Sequence, residues 1–177
     1  MLSADQQRGL LMDRPSRFVA LLVAAGLAFV PLTARADLIP FVPPGYHFSV
    51  QFPATRTYDV SADTGLSRWK GFDDGFLYVA VESDPKGAFD TTFQADLKDF
   101  VTATNATIVE QHPLTWVGPS GNVLALRVEF RMPNGALGES EYTVENGHSV
   151  GLTVLDRSMA ARRDLMIAFL DSLKFTD

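Results

Sequence analysis

Between residues 46 and 52 apolar and polar positions alternate, with Tyr46, Phe48, Val50 and Phe52 set against His47, Ser49 and Gln51. That period of two predicts a strand with one dry face, closed by Pro53. Two β-rich runs follow, Leu66 to Phe72 and Phe76 to Glu82, on either side of Asp73-Asp74-Gly75. Asp-Gly between such runs is the composition of a tight hairpin turn. Asp84-Pro85-Lys86-Gly87 breaks the pattern, and then Phe89, Phe93, Leu97, Phe100 and Val101 recur at helical spacing among Asp96, Lys98 and Asp99. This predicts an amphipathic helix over about 89–103 whose phenylalanine stripe packs on a sheet.

The second half repeats the hairpin logic. Strands are expected at Thr107–Val117, Val123–Met132, Leu137–Glu145 and His148–Leu155, with Asn134-Gly135 and Asn146-Gly147 as turns. Leu124, Leu126, Val128, Phe130 and Met132 share one face of this meander, whereas Arg127, Glu129 and Arg131 share the other, beside Glu139, Glu141, Thr143 and Glu145 of the next strand. The polar face is expected to be solvated, its cross-strand Arg–Glu pairs contributing only about 0.2–1 kcal/mol each. After Asp156 a second helix is predicted, with Ser158 as N-cap, Leu165, Phe169 and Leu173 on one stripe, and Met166 and Leu170 on its flank. Phe175 lies past its end, placed to plug the core. The fold class is therefore α+β: an antiparallel sheet of six or seven strands carrying two main helices.

Ahead of this pattern the chain has a different character. Arg14 and Arg17, the apolar run Phe18 to Val30, Pro31 and then Ala34-Arg35-Ala36 make residues 1–36 an export signal cleaved after Ala36. The run is shorter than the roughly 20 residues a bilayer span needs, so no stable membrane span is expected after cleavage. Met12 begins a more usual n-region than Met1. Asp37 to Gly45, with Pro40, Pro43 and Pro44, is an extended lead-in, and residues 46–177 form a single domain.

Composition narrows the chemistry. The 177 residues are 46% hydrophobic and 20% charged, with no cysteine, which removes disulfides, thiol catalysis, cysteine-bound metal and a lipidated cysteine after the signal. The formal charge is −6 for the whole chain. Loss of residues 1–36 removes more basic than acidic groups, and Arg157, Arg162 and Arg163 stand beside Asp156 and Asp164, so nucleic acid is not an expected partner.

Catalytic spacing is missing. His47, His112 and His148 form no H-E-x-x-H or i, i+4 pair and read as scattered; Asp73 and Asp74 serve a turn; Gly118-Pro119-Ser120-Gly121 lacks nucleophile-elbow spacing. No catalytic residue, metal or cofactor is assigned. Trp69 and Trp116 lie within strand patterns, where burial is the ordinary fate of tryptophan and exposure would make a stacking platform. As binding residues the pattern offers Arg127, Glu129 and Arg131 on the polar face, together with Trp69 and Trp116.

Gly45-Tyr46-His47-Phe48-Ser49-Val50-Gln51-Phe52-Pro53 resembles the opening strand of the PsbP-like superfamily, and Phe169-Leu170-Asp171-Ser172-Leu173-Lys174-Phe175 is similar to its closing helix end. That superfamily includes an extrinsic photosystem subunit, a Ran-binding factor of nuclear import and many exported bacterial proteins. The resemblance implies an antiparallel sheet with helices packed on it, acting as a binding or assembly-stabilising module without a catalytic centre. The polar sheet face suggests less helical cover than the family's three layers. The function expected is a non-catalytic, exported domain of the bacterial cell envelope or periplasm that binds a protein or envelope component. The alternative is a small-ligand or lipid carrier, with Phe89, Phe93, Trp69 and Trp116 lining a cavity between helix and sheet.

Overall fold

Seven strands lie side by side in one antiparallel sheet, a computed structural model of the chain shows, and a three-stranded ribbon lies beside it. Residues 38–60, 66–83, 89–118, 121–145, 147–158 and 162–176 are described. The export signal expected over 1–36 lies outside them. In chain order the elements are β1 (Ile39–Phe41), β2 (Phe48–Phe52), β3 (Arg56–Val60), β4 (Ser67–Asp73), β5 (Phe76–Ser83), α1 (Phe89–Thr104), β6 (Thr107–Gly118), β7 (Gly121–Arg131), β8 (Leu137–Glu145), β9 (His148–Asp156), α2 (Arg163–Leu170) and β10 (Lys174–Phe175). The large sheet runs β3-β4-β5-β9-β8-β7-β6 and the small one β1-β2-β10.

Alternation along the strands divides the interior in two. Leu77, Val79 and Val81 of β5 join Val128 and Phe130 of β7 and Phe93, Leu97 and Phe100 of α1 in one core. Tyr78 and Ala80, pointing the other way, join Val150, Leu152 and Val154 of β9, Phe48, Val50 and Phe52 of β2, and Met166, Phe169 and Leu170 of α2 in a second. The arrangement is thus three layers: α1, the sheet, then α2 with the small sheet. Central strands β5 and β9 are buried on both faces, which is why their sequences run almost unbroken in apolar residues.

Several local expectations need correction. Pro40 sits inside β1, an edge strand paired with β2, so the lead-in is partly strand. Strand β3 was not expected: nearly every residue of Arg-Thr-Tyr-Asp-Val is exposed at the sheet's edge, and without a dry face there is no alternation to detect. The turn at Asp74-Gly75 has positive φ at both residues, 44° and 83°, as a two-residue hairpin with right-handed strand twist requires. Asn134-Gly135 differs. Met132 N–H donates to Ala136 O at 2.9 Å, and Gly135, with φ 89°, closes a three-residue loop begun by Pro133. Ser158 caps no helix; its N–H donates to Asp156 Oδ1 at 2.9 Å, and α2 begins after Arg162 without a side-chain cap. Phe175 packs against the second core and pairs with Phe48.

Candidate functional site

The face carrying Arg127, Glu129 and Arg131 is covered rather than solvated, because α2 and the turn after it fold across β7 and β8. Glu139 and Glu141 are both wholly buried. Arg127 donates to Glu141 Oε2 and reaches Asp171 beyond the end of α2, while Arg163 at the start of α2 donates to Glu139 Oε1 at 2.8 Å and pairs with Glu129 at 2.7 Å. Burial pushes the Glu139 carboxyl up and that of Glu141 up to about 7, against the pull of Arg163 and Arg127 respectively. Of the three predicted residues on this face, Arg127 and Glu129 are committed to internal ion pairs. Only Arg131 is exposed, with Nη1 donating to Gly135 O.

The two tryptophans have different surroundings. Trp69 is buried among aromatic rings, with Tyr46 at 4.6 Å, Tyr58 stacked at 5.2 Å and Phe48 at 5.6 Å between centroids. Trp69 belongs to the second core and Phe93 to the first, on opposite faces of the sheet, so the two do not line one cavity as the carrier arrangement requires. Trp116 is half-buried on β6 and packs against the second core. Its strand is the edge of the large sheet and pairs with β7 down to Gly118 opposite Gly121. Large apolar side chains are exposed here: Val117 at 86%, Leu124 at 64% and Val109 at 50%.

A polar cluster sits at the end of the central strands β5 and β9. Glu82, near the end of β5, is only 5% exposed. Its Oε2 accepts the backbone N–H of His47 at 3.0 Å, and its Oε1 lies 2.9 Å from His47 Nδ1 and 3.2 Å from His148 Nδ1. The two imidazoles stack, with centroids 3.6 Å apart and planes 20° from parallel. Strand register explains the meeting: Glu82 stands opposite Val150, two residues along β9 from His148, and His47 immediately precedes β2. Ser67, opposite Glu82 on β4, bonds the Tyr46 hydroxyl at 2.7 Å. The histidines therefore were not all scattered; only His112 stands apart, 3.2 Å from Glu110. Asp74 of the β4–β5 turn pairs with Arg162.

No protein-family model matches the chain, and no curated protein sequence matches it. Its fold is similar to the solution structure of cyanobacterial PsbP (CyanoP) from Synechocystis sp. PCC 6803, with a TM-score of 0.58 and 11% identity over 83% of this chain and 97% of that one. It also matches the crystal structure of PA94, a Pseudomonas aeruginosa protein of unknown function, with a TM-score of 0.45 and 8% identity over 73% of this chain and 90% of the other. The chain has a PsbP-like fold, as its opening and closing segments implied. Three layers are present, so the polar face does not reduce the cover as anticipated. No helix among the described residues is long and apolar enough to cross a membrane.

Proposed function

We propose that the chain is an exported, non-catalytic binding domain of the bacterial periplasm or cell envelope, docking a protein partner along the end of β6 and the start of β7. The observation that carries this reading is the exposure of Val109, Val117 and Leu124 on a hairpin whose outer strand is a sheet edge. An edge strand of 12 residues, interrupted by a register shift at Ile108–Glu110 and by Pro113, offers its last residues as main-chain donors and acceptors to an incoming strand, and exposed apolar side chains give such a contact its specificity. The charged groups first considered for binding are, Arg131 apart, spent inside the fold. Export is supported by the n-region, apolar run and Ala34-Arg35-Ala36 of residues 1–36. The PsbP-like fold favours a module without a catalytic centre, though fold alone transfers no function.

The test places a photo-crosslinking residue at Val117 and, as control, at the exposed Lys98 of α1, in cells of the native host. A discrete adduct with one polypeptide from Val117 alone, whose purified form binds the chain directly and loses that binding when Val117→Asp and Leu124→Asp are combined, is the expected result. Equal adducts from both positions, or direct binding indifferent to the double substitution, would overturn the hairpin assignment.

A further inference from the structure

We propose that His47, Glu82 and His148 form a binding site for one divalent first-row transition-metal ion of the zinc class. Each contributes one ligand atom, and the three atoms all lie within 4.8 Å of one another. Two imidazole nitrogens and one carboxylate oxygen are a donor set suited to zinc and its neighbours, whereas calcium and magnesium select all-oxygen surroundings. In tetrahedral coordination with bonds of 2.0–2.1 Å the ligand atoms are about 3.3 Å apart. The separations from Glu82 Oε1 are 2.9 Å to His47 Nδ1 and 3.2 Å to His148 Nδ1, and because an ion must lie near the plane of each ring that ligates it, the stacked imidazoles turn apart for both Nδ1 atoms to meet it.

The carboxylate and the strands that carry the ligands are held in place, while the two rings have room to turn at the surface. Glu82 is fixed by the backbone N–H of His47 on Oε2, which turns Oε1 towards both rings. Its strand is central to the sheet, and register with β9 sets the position of His148. Glu145, directly across the ladder from His148, instead lies against Gly118. The carboxylate is buried while the imidazoles keep side-chain exposures of 42% and 27%, so an ion reaches the site from solvent and retains a coordination position there for water. Ligation through Nδ1 leaves each imidazole's ring proton on Nε2, so an Nδ1–H ring binds by changing tautomer, its proton moving to Nε2 with no net release. The site is distinct from the hairpin surface and does not depend on it.

The experiment titrates the full chain, freed of metal by chelation, with Zn²⁺ by calorimetry and with Co²⁺ by visible absorption. One equivalent of each should bind, Co²⁺ developing ligand-field bands, and millimolar Ca²⁺ or Mg²⁺ should not compete. His47→Ala, His148→Ala and Glu82→Gln should each weaken binding beyond the roughly 10–100-fold that outer-sphere changes cost. His112→Ala should leave it unchanged. His148→Gln provides a second variant that keeps a polar group beside Glu82, with thermal unfolding confirming that the fold persists. No stoichiometric binding, binding that survives both His148 substitutions, or equal competition by Ca²⁺ would overturn the proposal.

Discussion

Arg127 donates two hydrogen bonds to the wholly buried carboxylate of Glu141, from Nε at 2.9 Å and Nη2 at 2.7 Å. The pair joins neighbouring strands β7 and β8 at a directly opposed position, and Asp171 ties the same guanidinium to the end of α2. Removing one member of a buried pair leaves the other charge without compensation, which is far costlier than the pair's net contribution to stability. Arg127→Ala should therefore destabilise the fold by about 3 kcal/mol at pH 8, the low end of the range for buried pairs because Asp171 is open to solvent. Chemical denaturation checks this, and the double variant with Glu141→Gln should recover a large part of the loss.

Stability should also depend on pH with an unusual sign for a carboxylate. Burial raises Glu141 from 4.5 to about 7, so between those values the folded chain holds a proton that the unfolded chain has released. Stability from this group is then fully present below about pH 4.5 and is lost as pH rises through 7, by on the order of 3 kcal/mol in all. The shift of Glu139, also upward, acts in the same direction. Thermal unfolding should occur at higher temperature at pH 5.5 than at pH 8, and Glu141→Gln should flatten that difference. A midpoint that rises from pH 5.5 to 8 in the parent chain would contradict the assignment.

Where periodicity was strong, the sequence disclosed the element: the Asp74-Gly75 hairpin, helix α1 and strands β7 to β9 follow the alternation and turn residues closely. It did not disclose β3, whose exposed residues carry no periodic signal. Nor did it show the fate of Glu139 and Glu141, since a polar face reads alike whether water or a helix bearing Arg163 covers it. Coverage is a long-range property. Part of the His47–Glu82–His148 cluster did leave a trace: Glu82 stands in the run Phe-Leu-Tyr-Val-Ala-Val-Glu-Ser, and a charge in a strand buried along its length demands a partner. Which histidines supply it depends on the register between β5 and β9 for His148 and on how β2 packs on the large sheet for His47, beyond the reach of local pattern.

Gly138 makes a separate packing prediction. It faces Phe130 across the β7–β8 ladder, and a Cβ built on it would lie 2.2 Å from the phenylalanine ring. Phe130 is wholly buried and in edge contact with Phe100 of α1, with ring centroids 4.9 Å apart, so a shift of the ring disturbs its packing in the core. Gly138→Ala should cost roughly 1–3 kcal/mol by overpacking, despite the better strand entropy of alanine. Phe130→Leu in the same chain should relieve part of that cost, and an additive double variant would show that the ring is not the obstacle.

The last prediction concerns Asp156, which is wholly buried at the end of β9. Its Oδ1 accepts the Ser158 N–H at 2.9 Å and its Oδ2 accepts the Arg162 N–H at 3.2 Å, so one carboxylate spans the connection into α2. Arg162 in turn pairs with Asp74 and lies over the Phe76 ring, its guanidinium carbon 4.4 Å from the centroid. The carboxylate thus fixes the approach of the helix whose Arg163 neutralises Glu139. Asp156→Ala strands backbone donors and should destabilise by about 1–3 kcal/mol. Asp156→Asn keeps one acceptor and should fall between alanine and the parent. Hydrogen exchange distinguishes a local from a diffuse effect: amides of α2 and β10 should lose protection first, with β5 and β9 retaining theirs. Uniform loss across the sheet would show that the carboxylate stabilises the whole core and not the docking of α2.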